Sequence, residues 1–401
     1  MKSNYKQLGP YIREVVEKNS KNQIEKLLGV SIQKCFIPSI ANTIGTDMTT
    51  YKIVREYQFA YGPVTSRNGD KISVALLQES DCIVSTSYTV FEVINHDDLL
   101  PEYLMMWFRR PEFDRYARYM SHGSVREIFD WEEMCNVELP IPPIEKQKEI
   151  VAEYNAIANR IKLNEQLNQK LEETAQAIYK HWFVDFEFPD ENGKPYKSSG
   201  GEMVKCGSSE MPNGNWYNTS IGNYVKLKQG LVINATTTHL IKPKGLPLLR
   251  ITDLINGTKE IFIDESVEKK NIANLEDVIV TRTGQVGLTF RNKEGVIHNN
   301  CFKVIPNERF LHKDYLYRFL KNKSIYHLMV ELAKGSSAQY DLTHTAFNTL
   351  PIILPPIVIQ TEFSQIIKPI EKRIVQARKE IYLDQQIIDI FLSNLAKVRE
   401  N

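Results

Sequence analysis

The stretches "ELPIPPIEKQKEI", residues 138–150, and "PIILPPIVIQTEF", residues 351–363, decide how this chain is read. Sliding the sequence by 213 positions sets Pro142 and Pro143 on Pro355 and Pro356, Gln147 on Gln360, and Ile150 on Phe363. Prolines ahead of an apolar-periodic run mark a helix start, so one chain enters a helix twice in the same way. The match continues outside the motif, as an internal repeat demands. "LGPYI" at 8–12 falls on "IGNYV" at 221–225. With a slip of one residue, "PEYLMMWF" at 101–108 falls on "KDYLYRFL" at 313–320, and Gly123-Ser124 on Gly335-Ser336. "DCIVSTS" at 81–87 resembles "DVIVTRTG" at 277–284, displaced by 196, which implies loop residues lost or moved in the second copy.

Each copy ends in a countable helix. Ile150, Tyr154, Ile157, Ile161, Asn164, Asn168, Leu171, Ala175, Ile178 and Trp182 alternate spacings of four and three, the seam of a heptad repeat. Phe363, Ile367, Ile370, Ile374, Ala377, Ile381, Asp384, Ile388, Phe391, Leu395 and Val398 follow the same rule. The first run is about 50 Å of rod at 1.5 Å per residue. Asn164, Asn168 and Asp384 are polar seam positions that either fix register or are solvated. Pro369 is expected to kink the second helix or delay its regular part. Residues 188–215, rich in Gly, Ser, Pro and Asn, read as a surface linker.

The predicted fold is therefore α+β. Two mixed α/β units, 1–143 and 216–356, are separated by two long antiparallel coiled-coil helices, 144–187 and 357–401, with a pseudo-twofold internal repeat. Within the units, "DCIVSTSYTVFEVI" and "DVIVTRTG" read as strands and "PEYLMMWFRRPEFDRYARYM" as a helix.

A length of 401 residues and 42% apolar content suit two cores. A net charge of +1 does not announce a nucleic-acid binder, although local clusters still supply phosphate contacts. Five scattered cysteines with no C-x2-C spacing argue against a disulfide framework or a zinc site. The start lacks an apolar signal core and no apolar run nears the ~20 residues of a membrane helix, so a cytoplasmic location is expected. No phosphate-binding glycine loop, G-x-S-x-G or H-E-x-x-H occurs. "PDENGK" at 189–194 faintly resembles a metal-dependent nuclease set, but a linker does not hold carboxylates rigid for a metal. The expectation is a non-catalytic chain with no cofactor and no metal of its own.

Two basic loops offer chemistry. Residues 51–71 combine Lys52, Arg55, Ser66, Arg67, Asn68 and Lys71 with four aromatic rings and an Asn-Gly turn signal. Arg67 and Asn68 suit base edges and Ser66 and Lys71 phosphates; the bland alternative is a solvated hairpin. Residues 281–300 hold Arg282, Gln285, Arg291, Asn292 and Lys293, with Asn299 and Asn300 beyond. Arg to guanine, or Asn and Gln to adenine, gives ~1–3 kcal/mol of discrimination per contact.

The repeated junctions, the heptad helices, "HWFVDFEFP" at 181–189, "GSVREIFDWEEM" at 123–134 and "DVIVTRTG" together resemble a type I restriction-modification specificity subunit. The resemblance implies two target recognition domains, each reading half of a bipartite double-stranded DNA target, with the helices setting the gap. It also implies two methyltransferase subunits docked on the rod and restriction subunits completing an ATP-dependent nuclease. S-adenosylmethionine and ATP then belong to those partners. In the first unit "STSYTVFE" replaces the basic "TRTGQVG", so a DNA role does not carry over to Thr86, Ser87 or Tyr88. The competing class is a coiled-coil scaffold whose globular units bind proteins, favoured by the near-neutral charge and opposed by the basic loops.

Overall fold

The computed structural model describes residues 5–39, 47–66, 69, 71–123, 127–206, 209–335 and 340–398. Two compact units emerge, Met1–Asn164 with Glu380–Asn401, and Glu165–Lys379. The boundaries differ from the expected ones. Each unit takes half of each long helix into itself, because the seam side chains there belong to its core. Ile150, Tyr154, Ile388, Leu392 and Leu395 are part of the first unit's core, while Ala175, Tyr179, Trp182, Phe363 and Ile367 are part of the second's.

In the first unit a four-stranded sheet orders Ile12–Glu14, Thr89–Val93, Phe59–Gly62 and Ser73–Leu76, all neighbours antiparallel. Alternate residues of these strands face short helices. Phe59 stacks on Phe91 at 4.7 Å and meets Phe108 edge-on at 5.8 Å, and all three are fully buried. Burying each such ring stabilises by roughly 1.5–3 kcal/mol. The expected single helix over 101–120 is two, Pro101–Phe108 and Pro111–Tyr119. Arg110 breaks it at an extended ψ of 137°, since the residue before a proline is driven out of the helical region.

The second unit repeats the sheet order with Val225–Gln229, Cys301–Pro306, Val278–Thr281 and Thr289–Phe290. It adds a five-stranded sheet built around Leu246–Leu249 and Gly295–Ile297. The shared order corrects the sequence alignment of "DCIVSTS" with "DVIVTRTG". Cys82–Val84 pairs with Lys52–Val54 in a separate ladder, whereas the strand in the position of Val278–Thr281 is Phe59–Gly62. Backbone bonds agree: Phe129 N–H donates to Pro63 O at 2.8 Å, and Leu342 N–H to Arg282 O at 2.9 Å. Thus the counterpart of "RTGQVG" is the turn 63–72, and the departure at Thr86, Ser87 and Tyr88 is no departure in the equivalent hairpin.

The two long helices are Ile144–Phe183 and Ile357–Asn394. The second starts at Ile357 and continues through Pro369 without the expected delay. Every described apolar seam position is buried or half-buried, including Ile157, Ile161, Leu171, Ile178, Ile370, Ile374, Ile381 and Phe391. In the first unit Tyr154 meets Phe391 at 6.4 Å and Arg160 pairs with Asp384, so the two helices run antiparallel there. In the second, Tyr179 meets Phe363 at 6.3 Å and Glu172 pairs with Arg378 at 3.1 Å, with the same consequence.

The repeated junction is a hydrogen-bonded clamp. Gln147 and Gln360 are both 0% exposed. Leu100 N–H donates to Gln147 Oε1 at 2.9 Å, and Gln147 Nε2 donates to the carbonyls of Asp98 and Pro142, each at 2.9 Å. His312 N–H donates to Gln360 Oε1 at 2.8 Å, and Gln360 Nε2 donates to the carbonyls of Phe310 at 2.9 Å and Pro355 at 2.8 Å. A helix entry buried against a loop needs such partners.

The expected linker 188–215 is more structured than its composition suggests. Phe188 is 5% exposed and stacks on Tyr196 at 4.7 Å, and Met203–Cys206 pairs with Ser209–Pro212 as a hairpin. Gly, Ser and Pro set the turns while Phe186, Phe188 and Trp216 bury their rings in the second unit's core.

Candidate nucleic-acid interface

In the second unit the hairpin Val278–Thr281 and Thr289–Phe290 has two ends, and the predicted residues divide between them. At the turn, Arg282 N–H donates to Asn300 O at 2.7 Å, and Gln229 Nε2 bonds Asn299 O, so Arg282, Asn299 and Asn300 share one edge. Thr281 Oγ1 donates to Gln285 O and accepts from Leu288 N–H at 2.9 Å. That clamp closes the turn and leaves Gln285 exposed. Gly284 at φ +67° and Gly287 at φ +80° occupy the left-handed region that L side chains rarely adopt.

The Arg282 guanidinium forks onto Asp341, with Nε and Nη2 at 2.5 and 2.7 Å from the two carboxylate oxygens. This bond holds Asp341 below the usual carboxylate range. Nη1 is not used in that fork, which leaves a donor edge for a planar acceptor pair. His344 sits beside them; burial, then the Arg282 charge, keep its imidazole below its ordinary value, so it is neutral near pH 7.

Arg291, Asn292 and Lys293 lie at the opposite end of the hairpin. Arg291 pairs with Asp314, whose side chain is 2% exposed, beneath the Tyr317 ring. Burial pushes Asp314 up, but Arg291 and then the Ser364 hydroxyl hold it below its ordinary value overall. Arg291 is therefore a structural cation, and its expected DNA contact is corrected: its charge is already neutralised inside the fold. Asn292 holds φ +59° and donates its N–H to Leu275 O at 2.9 Å. Lys293 is half-buried and burial pushes its ammonium pKa down.

The first unit also divides its candidates. Ser66 and Lys71 are exposed in the 63–72 turn, while Arg67 and Asn68 lie outside the described residues. Lys52 Nζ donates to Tyr88 O at 2.8 Å, and Arg55 bridges Glu17 and Asp81. Lys52 belongs to the separate Lys52–Val54 ladder and Arg55 follows it directly, so the structure does not join them to the turn. Sequence reasoning missed Asp341, for which a carboxylate 59 positions from Arg282 offers no local signal.

Two matched units, each presenting a hairpin turn, define a two-domain reader. The profile of the type I restriction modification DNA specificity domain matches residues 11–173 and 213–382. This chain belongs to that family and carries two of its domains, so it is a DNA-recognition subunit. The specificity subunit of type I restriction enzyme MjaIX from Methanocaldococcus jannaschii is 24% identical over 330 residues, covering 78% of this chain and 72% of that one. The HindI specificity subunit from Haemophilus influenzae is 22% identical over 369 residues, covering 76% and 78%. The fold is shared with a type I restriction-modification S subunit from M. genitalium, at TM-score 0.58 and 12% identity over 98% of this chain and 96% of that one. Among the described residues no helix is long and apolar enough to cross a membrane.

Proposed function

We propose that each unit reads one half of a split DNA target through its hairpin turn, 63–72 in the first and 282–287 in the second. Two DNA specificity domains in one chain, each with its own turn of different sequence, is the observation that carries this reading. In it, Arg282, Gln285, Asn299 and Asn300 contact bases or flanking phosphates in one half, and Ser66, Arg67, Asn68 and Lys71 in the other. The long helices form a coiled coil that spaces the readers about one DNA turn, ~34 Å, apart and docks two methyltransferase subunits. A pseudo-twofold relation between the units then matches the local symmetry of duplex DNA. The chain itself is a non-catalytic cytoplasmic protein; S-adenosylmethionine and ATP serve its methyltransferase and restriction partners.

Co-expression with a partner methyltransferase, followed by mapping of methylated adenines, tests the reading. Two short specific halves around a fixed gap are expected. Soluble, assembled complexes that leave no motif would defeat it. Removing one heptad from both helices is expected to change the gap; an unaltered gap would defeat the spacing role alone.

A further inference from the structure

In the first unit the chain fills a hollow with its own side chains. Tyr5, opposite Pro140 in the ladder of Tyr5–Gln7 with Glu138–Pro140, sets its ring edge-on to Trp107 at 6.0 Å. Its hydroxyl donates to Ala396 O at 3.1 Å. Arg110, the N-cap residue of Pro111–Tyr119, lies over the Trp107 ring at 4.1 Å.

The second unit has the same frame without the filling. Asn218, opposite Ile353, stands where Tyr5 stands opposite Pro140. Phe319 takes the place of Trp107, and Asn322, the N-cap residue of Lys323–Ala333, takes that of Arg110. One ring and one guanidinium are thus absent. An open cleft of ≈ 460 Å³ remains, with Tyr179, Phe183, Tyr315, Phe319 and Ile325 among its walls and the Glu210 carboxylate on its lining. Glu210 belongs to the two-stranded hairpin Met203–Cys206 and Ser209–Pro212.

We propose that this cleft docks one aromatic side chain, a tyrosine with a neighbouring cation, carried by a partner protein. The sibling unit shows which chemistry completes the frame: a phenol ring against an aromatic edge, with a positive charge beside it. Aromatic anchors in such pockets dominate interface energies because they bury much area at little entropic cost. Glu210 replaces the missing intramolecular environment with a carboxylate for the partner's cation. In the first unit Tyr5 and Arg110 occupy the corresponding place against Trp107, so this cleft offers one such position per chain. Naming a methyltransferase subunit as that partner rests on the proposed function.

The test uses the full-length chain. 4-Methylphenol, the tyrosine side-chain analogue, is expected to bind wild type saturably at millimolar concentration and not to bind Asn218→Tyr. The same variant restores the sibling's ring, so its Tm is expected to rise by about 2–4 °C while association with the methyltransferase weakens at least tenfold. Glu210→Lys is expected to weaken association about fivefold with Tm unchanged. A more stable variant that binds its partner less well is not explained by misfolding. A lowered Tm for Asn218→Tyr, or unchanged association, would overturn the proposal, even if 4-methylphenol binds. Motif mapping separates the two readings: assembly without any split motif defeats DNA reading alone, and an intact motif with Asn218→Tyr assembling normally defeats the docking site alone.

Discussion

The two units share a frame bond for bond and differ in what they place on it. Gln147 and Gln360 make the same three hydrogen bonds, and Tyr103 and Tyr315 hydroxyls donate to the equivalent carbonyls of Pro140 and Ile353, at 2.9 and 2.6 Å. At one place in the frame, however, the second unit has Arg318 between Glu371 and Glu172, and the sequence-equivalent positions of the first carry Met106, Ala158 and Gln385. Arg318 is 0% exposed and also lies over the Tyr317 ring at 5.1 Å. One fold accepts a buried methionine at one position and a buried, ion-paired arginine at its counterpart. Hydrogen-bonded junctions hold the frame, while charges and turns individualise it.

The ionic set offers the largest effect. Arg318→Met alone is expected to cost about 3–5 kcal/mol, because Glu371 loses its cation inside the fold and Glu172 keeps only Arg378 in direct contact. Adding Glu172→Gln and Glu371→Ala, the first unit's residues, is expected to recover most of that loss. Denaturant unfolding with hydrogen exchange resolved by unit measures both; a single variant as stable as the triple would break the comparison.

Next come the clamps. Gln147→Leu and Gln360→Leu each strand one N–H and two carbonyls, at about 3 kcal/mol by the usual penalty for unpaired buried groups. Equal losses are expected in the same unfolding experiment, and a difference above about twofold would show that the junctions are not equivalent.

The turns sharpen the comparison functionally. Arg282→Ala is expected to lose about 1–3 kcal/mol of DNA affinity and to relax one position of one half-site. Pro63→Ala, at the equivalent backbone position, is expected to leave the other half unchanged. Methylation maps of the two variants decide it, and relaxation in both halves or neither would separate the turns from recognition.

The smallest effect is the response to acid. Burial pushes Glu172 up, but Lys321 and Arg318 outweigh it and leave its pKa lowered; Asp314 is lowered against its burial by Arg291 and Ser364. A lowered folded pKa means that the unfolded chain binds the proton more tightly, so this stabilisation is present above the ordinary range near pH 4 and lost as pH falls through the lowered values. Exchange protection in the second unit is expected to fall as the pH is lowered from about 5 to 3. The Arg318→Met triple variant is expected to lose less, and an equal drop would remove Glu172 from the account.

The long helices and their junctions were legible because helical periodicity and the Pro-Pro-x-x-x-Gln pattern are local signals, repeated at one offset. The basic turns were legible as composition. Their equivalence was not: which strand joins the main sheet depends on its pairing partner, and Phe59–Gly62, rather than Cys82–Val84, lies beside Thr89–Val93. Nor did composition distinguish the solvated Gln285 from the internal Arg291, since charge availability depends on a carboxylate brought close by folding.

By itself, then, the sequence determined two matched domains, two long helices and a family, because repeats and periodicities are carried by neighbours along the chain. The tertiary structure alone decided which turns correspond, which cations remain available and where Asn218 leaves a hollow that Tyr5 fills. Those depend on contacts between residues far apart in sequence, whose energies no local pattern encodes.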